Sequence, residues 1–476
     1  MVRHVTQAMS PTWIKARLWL IALMTVVAVL PFYVFIQMAG PSSSPHQCVL
    51  HAMSAEGASQ WLDLRHCELE SVPKGLHTMT SLRVLDLSHN NLMSLPEGLL
   101  DNLPNLQVLF LSSNNFAQVP SLSSLNSLHT IALKHNQLTH VDAASLPSSL
   151  EALILTGNRI TSVVNLPRLK NLRKIMLAHN QLESLPPGLH LCTRLEVLRL
   201  AANRITRPPF EVAQLPNLAW LALGGNPYAT RHRGQFHEGL GSIDMAAVSL
   251  QRKLDEGAGG VVWQGLYQGQ KVAVKLLHKS GSGSDGAAVD EVRMNARLTH
   301  PAIIKVVGVS YQPLAMVMEW LPDPQALANR PSLDSKTRDT PRNSVRILSS
   351  AEVKQALVAV ADVLAYLHSQ GVCHGDLYLH NVVVARDMSP RVSDFGASFD
   401  YSAMQAPSSE VSLWEQIEVR AFGILMQDLM EFNDVRADDT MSALIRDCTR
   451  PDVQQRPGFV HVKEVLQTAS VLASGR

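Results

Sequence analysis

Apolar residues recur along residues 59–230 with a period of 22–24, in the order apolar, two others, apolar, one other, apolar, two others, asparagine. Leu82, Leu85, Leu87 and Asn90 form one such unit, and Leu106, Leu109, Leu111 and Asn114 the next. Leu128, Ile131, Leu133 and Asn136 follow, then Leu150, Leu153, Leu155 and Asn158. Leu172, Ile175, Leu177 and Asn180, then Leu195, Leu198, Leu200 and Asn203, continue the series, which Leu218, Leu221, Leu223 and Asn226 close. Leu62, Leu64 and Cys67 fit a degenerate first unit, making eight. The spacing predicts short strands whose leucines point inward. No single unit can bury its apolar side, so neighbours must stack. Each Asn is placed to bond the backbone of the turn that leaves its strand. Positions alternating with the leucines (Asp86, Phe110, Lys134, Ile154, Met176, Arg199 and Trp220) are expected to line one open face. A strip through Phe110, Ile154, Met176 and Trp220 is the expected protein-binding surface, with packing of Trp220 against the following domain as the alternative. His89, His135 and His179 each precede a ladder Asn. Two repeats place them roughly 10 Å apart, too far to share one metal ion.

The pattern changes after residues 231–243, which read as a linker. Strand-like segments start near Met245, end at Lys275, and recur over Ile303 to Val309 and Met316 to Leu321. The polar stretch 322–348 reads as a mobile insertion. A helix follows, capped by Ser349 or Ser350 with Glu352 in its first turn, and Val353, Leu357, Val360, Leu364 and Leu367 mark its buried stripe. At the other end, Leu18 to Ile36 carry no charge. Nineteen helical residues span roughly 28 Å, about the hydrocarbon thickness of a bilayer. Residues 1–17 then form a basic segment, 18–38 a signal anchor (a cleaved signal is the alternative) and 39–58 a linker.

The 476 residues allow two or three domains. With 41 basic and 40 acidic residues, nothing points to nucleic acid as partner. Arg3, Lys15 and Arg17 precede the apolar run, which puts the N-terminus in the cytosol and the rest outside. The five cysteines do not settle the side of the membrane, which is left open. Cys48 and Cys67 are placed to pair in an oxidising compartment, while Cys192, Cys373 and Cys448 read as buried thiols.

The chemistry sits in one ordered set of residues. Lys275 ends Val272-Ala273-Val274-Lys275, and Glu291 lies on a predicted helix that runs to His300-Pro301. Asp376 and Asn381 stand in His374-Gly375-Asp376-Leu377-Tyr378-Leu379-His380-Asn381, and Asp394 opens Asp394-Phe395-Gly396. Gly257, Gly260 and Val262 belong to a glycine-rich turn ahead of Lys275. This set resembles the eukaryotic-type protein kinase family over residues 244–472, and the repeats resemble leucine-rich repeats over 59–230. The resemblance implies a two-lobed α+β kinase fold behind an α/β horseshoe of repeats. It implies ATP and Mg²⁺ as cofactors, a protein substrate and a protein or peptide on the concave repeat face. Lys275, held by Glu291, pairs with the α- and β-phosphates; Asp376 accepts the substrate hydroxyl; Asn381 and Asp394 hold Mg²⁺. Gly257, Gly260, Val262, Met318 as gatekeeper, and Glu319 and Leu321 of the hinge bind the nucleotide. The implied activity is transfer of the γ-phosphoryl group to Ser or Thr, with a pseudokinase scaffold as the alternative.

The chain departs from the kinase pattern in several places. Asp255 takes the first glycine position, Gly375 replaces an Arg, and Tyr378 stands where Ser/Thr kinases carry a Lys. Only about 21 residues separate Gly396 from Glu418, so the activation segment is short. Glu418 takes the place of an Asp in the helix that follows, and Glu410 is the expected partner of Arg456.

Overall fold

The computed structural model describes residues 59–98, 100–229, 241–257, 259–278, 286–342, 347–402, 404 and 408–473. Segments 1–17, 18–38 and 39–58, with positions 231–240 of the linker, lie outside the described residues. Among the described residues no helix is long and apolar enough to cross a membrane.

The repeats form one parallel sheet of eight three-residue strands in chain order. They are β1 (Trp61–Asp63), β2 (Val84–Asp86), β3 (Val108–Phe110), β4 (Thr130–Ala132), β5 (Ala152–Ile154), β6 (Lys174–Met176), β7 (Val197–Arg199) and β8 (Trp220–Ala222). Every ladder leucine and isoleucine is buried. The asparagines do what their spacing predicts. Asn158 Nδ2 donates to the carbonyls of Leu133 and Leu155, both at 2.9 Å, and its Oδ1 accepts from the Leu138 amide at 3.1 Å. Asn158→Ala strands those backbone groups inside the array. It should cost roughly 3 kcal/mol, read as a lower denaturant midpoint at constant slope.

The second domain begins with a five-stranded antiparallel sheet of order β9-β10-β11-β13-β12. Its strands are β9 (Val248–Gly257), β10 (Gly260–Tyr267), β11 (Gln270–Leu277), β12 (Val306–Tyr311) and β13 (Leu314–Glu319). Helix α1 (Ala288–Arg297) lies between β11 and β12 in the chain. It stops short of His300 because Leu298 has turned to extended backbone. The other lobe is built on α2 (Ser350–Ser369) and α3 (Ser408–Phe432), with α4 (Asp439–Cys448) and α5 (Phe459–Thr468) beside them. A reciprocal Ser349–Glu352 capping box starts α2, and its whole predicted stripe is buried.

Two expectations are corrected. The stretch 322–348 is not a mobile insertion over its described residues. Leu327, Ala328, Thr337, Asp339 and Leu348 are buried, and Lys336 Nζ stands 2.9 Å from Glu151 Oε2 of the repeats. Its polar residues have fixed partners, which composition alone cannot reveal. The open face of the repeats is not open at its C-terminal end either. Met176, Arg199 and Trp220 are 9%, 3% and 1% exposed. The weighed alternative for Trp220 holds, because the kinase-like domain sits on it. Cys192, Cys373 and Cys448 are buried free thiols as expected. Cys67 is disulfide-bonded, and Cys48 lies outside the described residues.

The two domains share their cores. One apolar cluster runs from the repeat leucines into Phe399, Tyr401, Met404, Leu413, Trp414 and Ile417. The other runs from Val197, Ala219 and Trp220 into Leu377, Tyr378 and the stripe of α2. An interface of that kind resembles a domain core cut in half, the signature of an obligate contact.

Candidate active site

The glycine-rich turn joins β9 to β10. Gly260 has φ +157°, and a Cβ there would lie 2.2 Å from the Leu276 carbonyl, so only glycine fits. Gly257 precedes it, with the Arg330 guanidinium 3.1 Å from the Cβ it lacks. Val262 on β10 faces Lys275 on β11, and Ala273 faces Met318 on β13. Glu319 ends β13 with its carboxylate accepting from the Lys305 amide at 2.9 Å, and Leu321 beyond it is buried. Asp255 sits exposed on β9, with its carboxylate capping the next amide.

Lys275 Nζ bonds Glu291 Oε1 at 2.5 Å and stands 3.6 Å from Asp394 Oδ1. The missing Cβ of Gly259 lies 3.6 Å from the same ammonium, so the glycine turn closes over this cation. Burial opposes the charge on Lys275, but Asp394 and Glu291 outweigh it and raise its pKa. In return Lys275 holds the Asp394 carboxyl below the usual carboxylate range. Asp394 takes a left-handed backbone, φ +60°, and Phe395 behind it is buried against the His374 ring.

The loop 374–381 holds Asp376 and Asn381 together. Asn381 Nδ2 donates to the Asp376 carbonyl at 2.8 Å and to its Oδ2 at 3.0 Å. His374 is fully buried, with Nε2 at 3.1 Å from the Ser393 carbonyl. Glu418 Oε1 accepts from the Gly375 amide at 2.9 Å, so the acidic residue of α3 anchors the loop. Arg456 donates to the carbonyls of Arg450, Gln416 and, in the repeats, Pro216. The side chain of its expected partner Glu410 lies outside the described residues.

Asn381 and Asp394 offer oxygen ligands only. A hard cation such as Mg²⁺, which prefers carboxylate and carbonyl oxygens with phosphate, fits that set. Its role would be to offset the phosphate charge.

The feature that sequence reasoning missed is the repeat wall. Arg199 of β7 ion-pairs with Asp376 Oδ1 and donates to the Gly375 carbonyl at 2.8 Å. The Leu221 amide of β8 donates to that same carbonyl at 3.1 Å. Trp220 lies flat on Tyr378, with centroids 4.3 Å apart and planes 3° off parallel, and its Nε1 donates to the Leu377 carbonyl at 2.9 Å. Tyr378 is therefore buried in a stack. The insertion closes the ring: Thr337 Oγ1 accepts from Arg173 of the repeats at 3.0 Å, and Asp339 accepts from the His380 amide at 3.0 Å. One signal was available in the sequence. Gly375, in place of an Arg, has φ +76°, and a Cβ there would lie 2.5 Å from the Leu221 carbonyl. The glycine makes room for the repeat strand.

Residues 248–414 match the family described as protein tyrosine and serine/threonine kinase, and residues 60–116 match leucine rich repeat. The chain thus carries a protein kinase domain joined to leucine-rich repeats. It is 31% identical over 155 residues to the rat (Rattus norvegicus) megakaryocyte-associated tyrosine-protein kinase, covering 32% of this chain and 31% of that one. It is 32% identical over 154 residues to the receptor-like serine/threonine-protein kinase SD1-7 of Arabidopsis thaliana, covering 31% and 17%. A longer match, 30% over 291 residues, is to the probable serine/threonine-protein kinase roco5 of Dictyostelium discoideum, covering 48% and 10%. The chain spans less than a third of the length of these relatives.

Proposed function

We propose that this chain is an ATP- and Mg²⁺-dependent protein kinase that transfers the γ-phosphoryl group to Ser or Thr of a protein substrate. The single observation that carries the reading is the assembled triad Lys275–Glu291–Asp394, with its cation poised between two carboxylates. In the proposed reaction the acceptor oxygen bonds to the γ-phosphorus. The bond from phosphorus to the β–γ bridging oxygen breaks, and ADP leaves with that electron pair. The acceptor proton passes to Asp376. Lys275 orients the α- and β-phosphates, and Asn381 holds the Asp376 carboxylate toward the acceptor. The Ser/Thr preference draws on relatives described as serine/threonine kinases, although another is described as a tyrosine kinase.

Partner recruitment falls to the N-terminal part of the repeats in this reading, because Phe110 and Ile154 remain only partly buried. An anchor at 18–38 would concentrate the kinase at a membrane.

The test is transfer from labelled ATP by the purified chain, to a general protein substrate and to itself, with Asp394→Asn and Asp376→Asn as controls. Label incorporated by the wild type, lost in both variants and lost on chelating divalent metal, is the expected result. A nucleotide-induced thermal shift without label would establish the scaffold instead.

A further inference from the structure

We propose that Arg199 of the repeats is a positioning residue of the kinase site, so that the repeat array forms a permanent wall of the catalytic cleft. The inference rests on the kinase reading above.

The loop that carries the base, 374–381, contains neither Lys nor Arg. Cationic charge at Asp376 comes from outside the loop, across 177 residues of sequence, from β7. Asp376 is held at two points. Asn381 takes Oδ2 from within the loop and Arg199 takes Oδ1 from the repeats. Two donors on two oxygens fix the carboxylate rotamer, whereas one leaves it free to rotate. The Arg199 side chain is 4% exposed and that of Asp376 15%, so their attraction acts in a weakly screened setting. The fork geometry matters too, since a second arm of the guanidinium holds the Gly375 carbonyl and thereby the loop backbone.

Three observations argue that this contact is built in rather than a reversible plug. Gly375 is shaped to the repeat strand, since any side chain there would strike Leu221. Ala178, Ala201 and Ala222 form a fully buried cluster with Ala397, directly after the Asp394-Phe395-Gly396 motif. The glycines continue the same fit: a Cβ at Gly286 would lie 2.8 Å from the Gly396 carbonyl, and His179 of the repeats meets the Gly286 carbonyl at 3.0 Å. The repeats therefore brace the loop, the metal-side motif and the entry to α1 at once. The nucleotide side stays more open, with the Asp394 side chain 40% exposed. A permanently seated array that grips the base belongs to the working site.

The test compares wild type, Arg199→Ala and Arg199→Lys in the full chain, with steady-state transfer kinetics, ATP affinity and thermal unfolding. Arg199→Ala should lower kcat about 100-fold, the scale for letting a positioned group drift by about 1 Å, while KM for ATP stays within about threefold. Arg199→Lys should recover about tenfold of that loss, because it restores the charge without the fork. A structural role alone would move unfolding and ATP affinity together with kcat and would not sort by charge. Transfer by Arg199→Ala at the wild-type rate overturns the proposal, and faster transfer overturns it by making the contact an inhibitory lock. Wild type that transfers nothing removes the kinase reading and this one together, whereas an active wild type with an equally active Arg199→Ala removes this one alone.

Discussion

Lys275→Met is expected to reduce phosphoryl transfer by about 10³-fold, the upper range for loss of one preorganised charge. The reason lies in the triad. Lys275 is the cation shared by Glu291 at 2.5 Å and Asp394 at 3.6 Å, and Met matches its length without its charge. Removing it leaves Glu291, 5% exposed, with its charge uncompensated by Lys275. Breaking a buried pair from one side typically costs about 3–5 kcal/mol, so unfolding should shift as well. The pH dependence follows from Asp394. Its carboxyl is held down by Lys275, so this pairing contributes stability above the usual carboxylate range and loses it as pH falls through the depressed value. In Lys275→Met that contribution is gone, and the stability gap to wild type should narrow under strong acid. Stopped-flow or steady-state transfer assays and urea melts across pH read both effects. Retention of even a tenth of wild-type transfer would remove Lys275 from the site.

Trp220→Ala is expected to uncouple the two domains. The indole is 1% exposed, stacks on Tyr378 and donates to the Leu377 carbonyl. Deleting a buried Trp costs about 3–5 kcal/mol, and the ring stack adds about 1 kcal/mol. The loss falls on a residue that belongs to the kinase core although the repeats carry it. Wild type should therefore unfold in one calorimetric transition, and Trp220→Ala in two. Leu250→Ala serves as the comparison, since that side chain is 39% exposed on β9 and should change little. A single transition at the wild-type midpoint in Trp220→Ala would mean that the shared core contributes no coupling.

The departures from the kinase pattern acquire reasons once the repeats are seated. Gly375 has no Cβ because β8 passes where one would lie, and Tyr378 is Tyr because it stacks on Trp220. Within the short activation segment, Tyr401 and Met404 are buried in the repeat core ahead of α3. From the sequence alone, Tyr378 and the short activation segment are grounds for the scaffold alternative. The structure makes them the kinase half of an interdomain fit.

What the sequence determined by itself is everything local or periodic. The eight-unit array, its asparagine ladder, the capping box of α2 and the order of Lys275, Glu291, Asp376, Asn381 and Asp394 all rest on spacing within one element or motif. Spacing is a property of the chain and can be read along it. Tertiary structure alone decided that Arg199 reaches Asp376, that Trp220 is core rather than surface, and that Lys336, Thr337 and Asp339 form a clasp. These residues lie from 41 to 185 positions from their partners, and no periodicity links them. A surface Arg or Trp on an open repeat face and one buried by a second domain have the same sequence context. Only the burial of shared apolar surface, which depends on both domains at once, separates them.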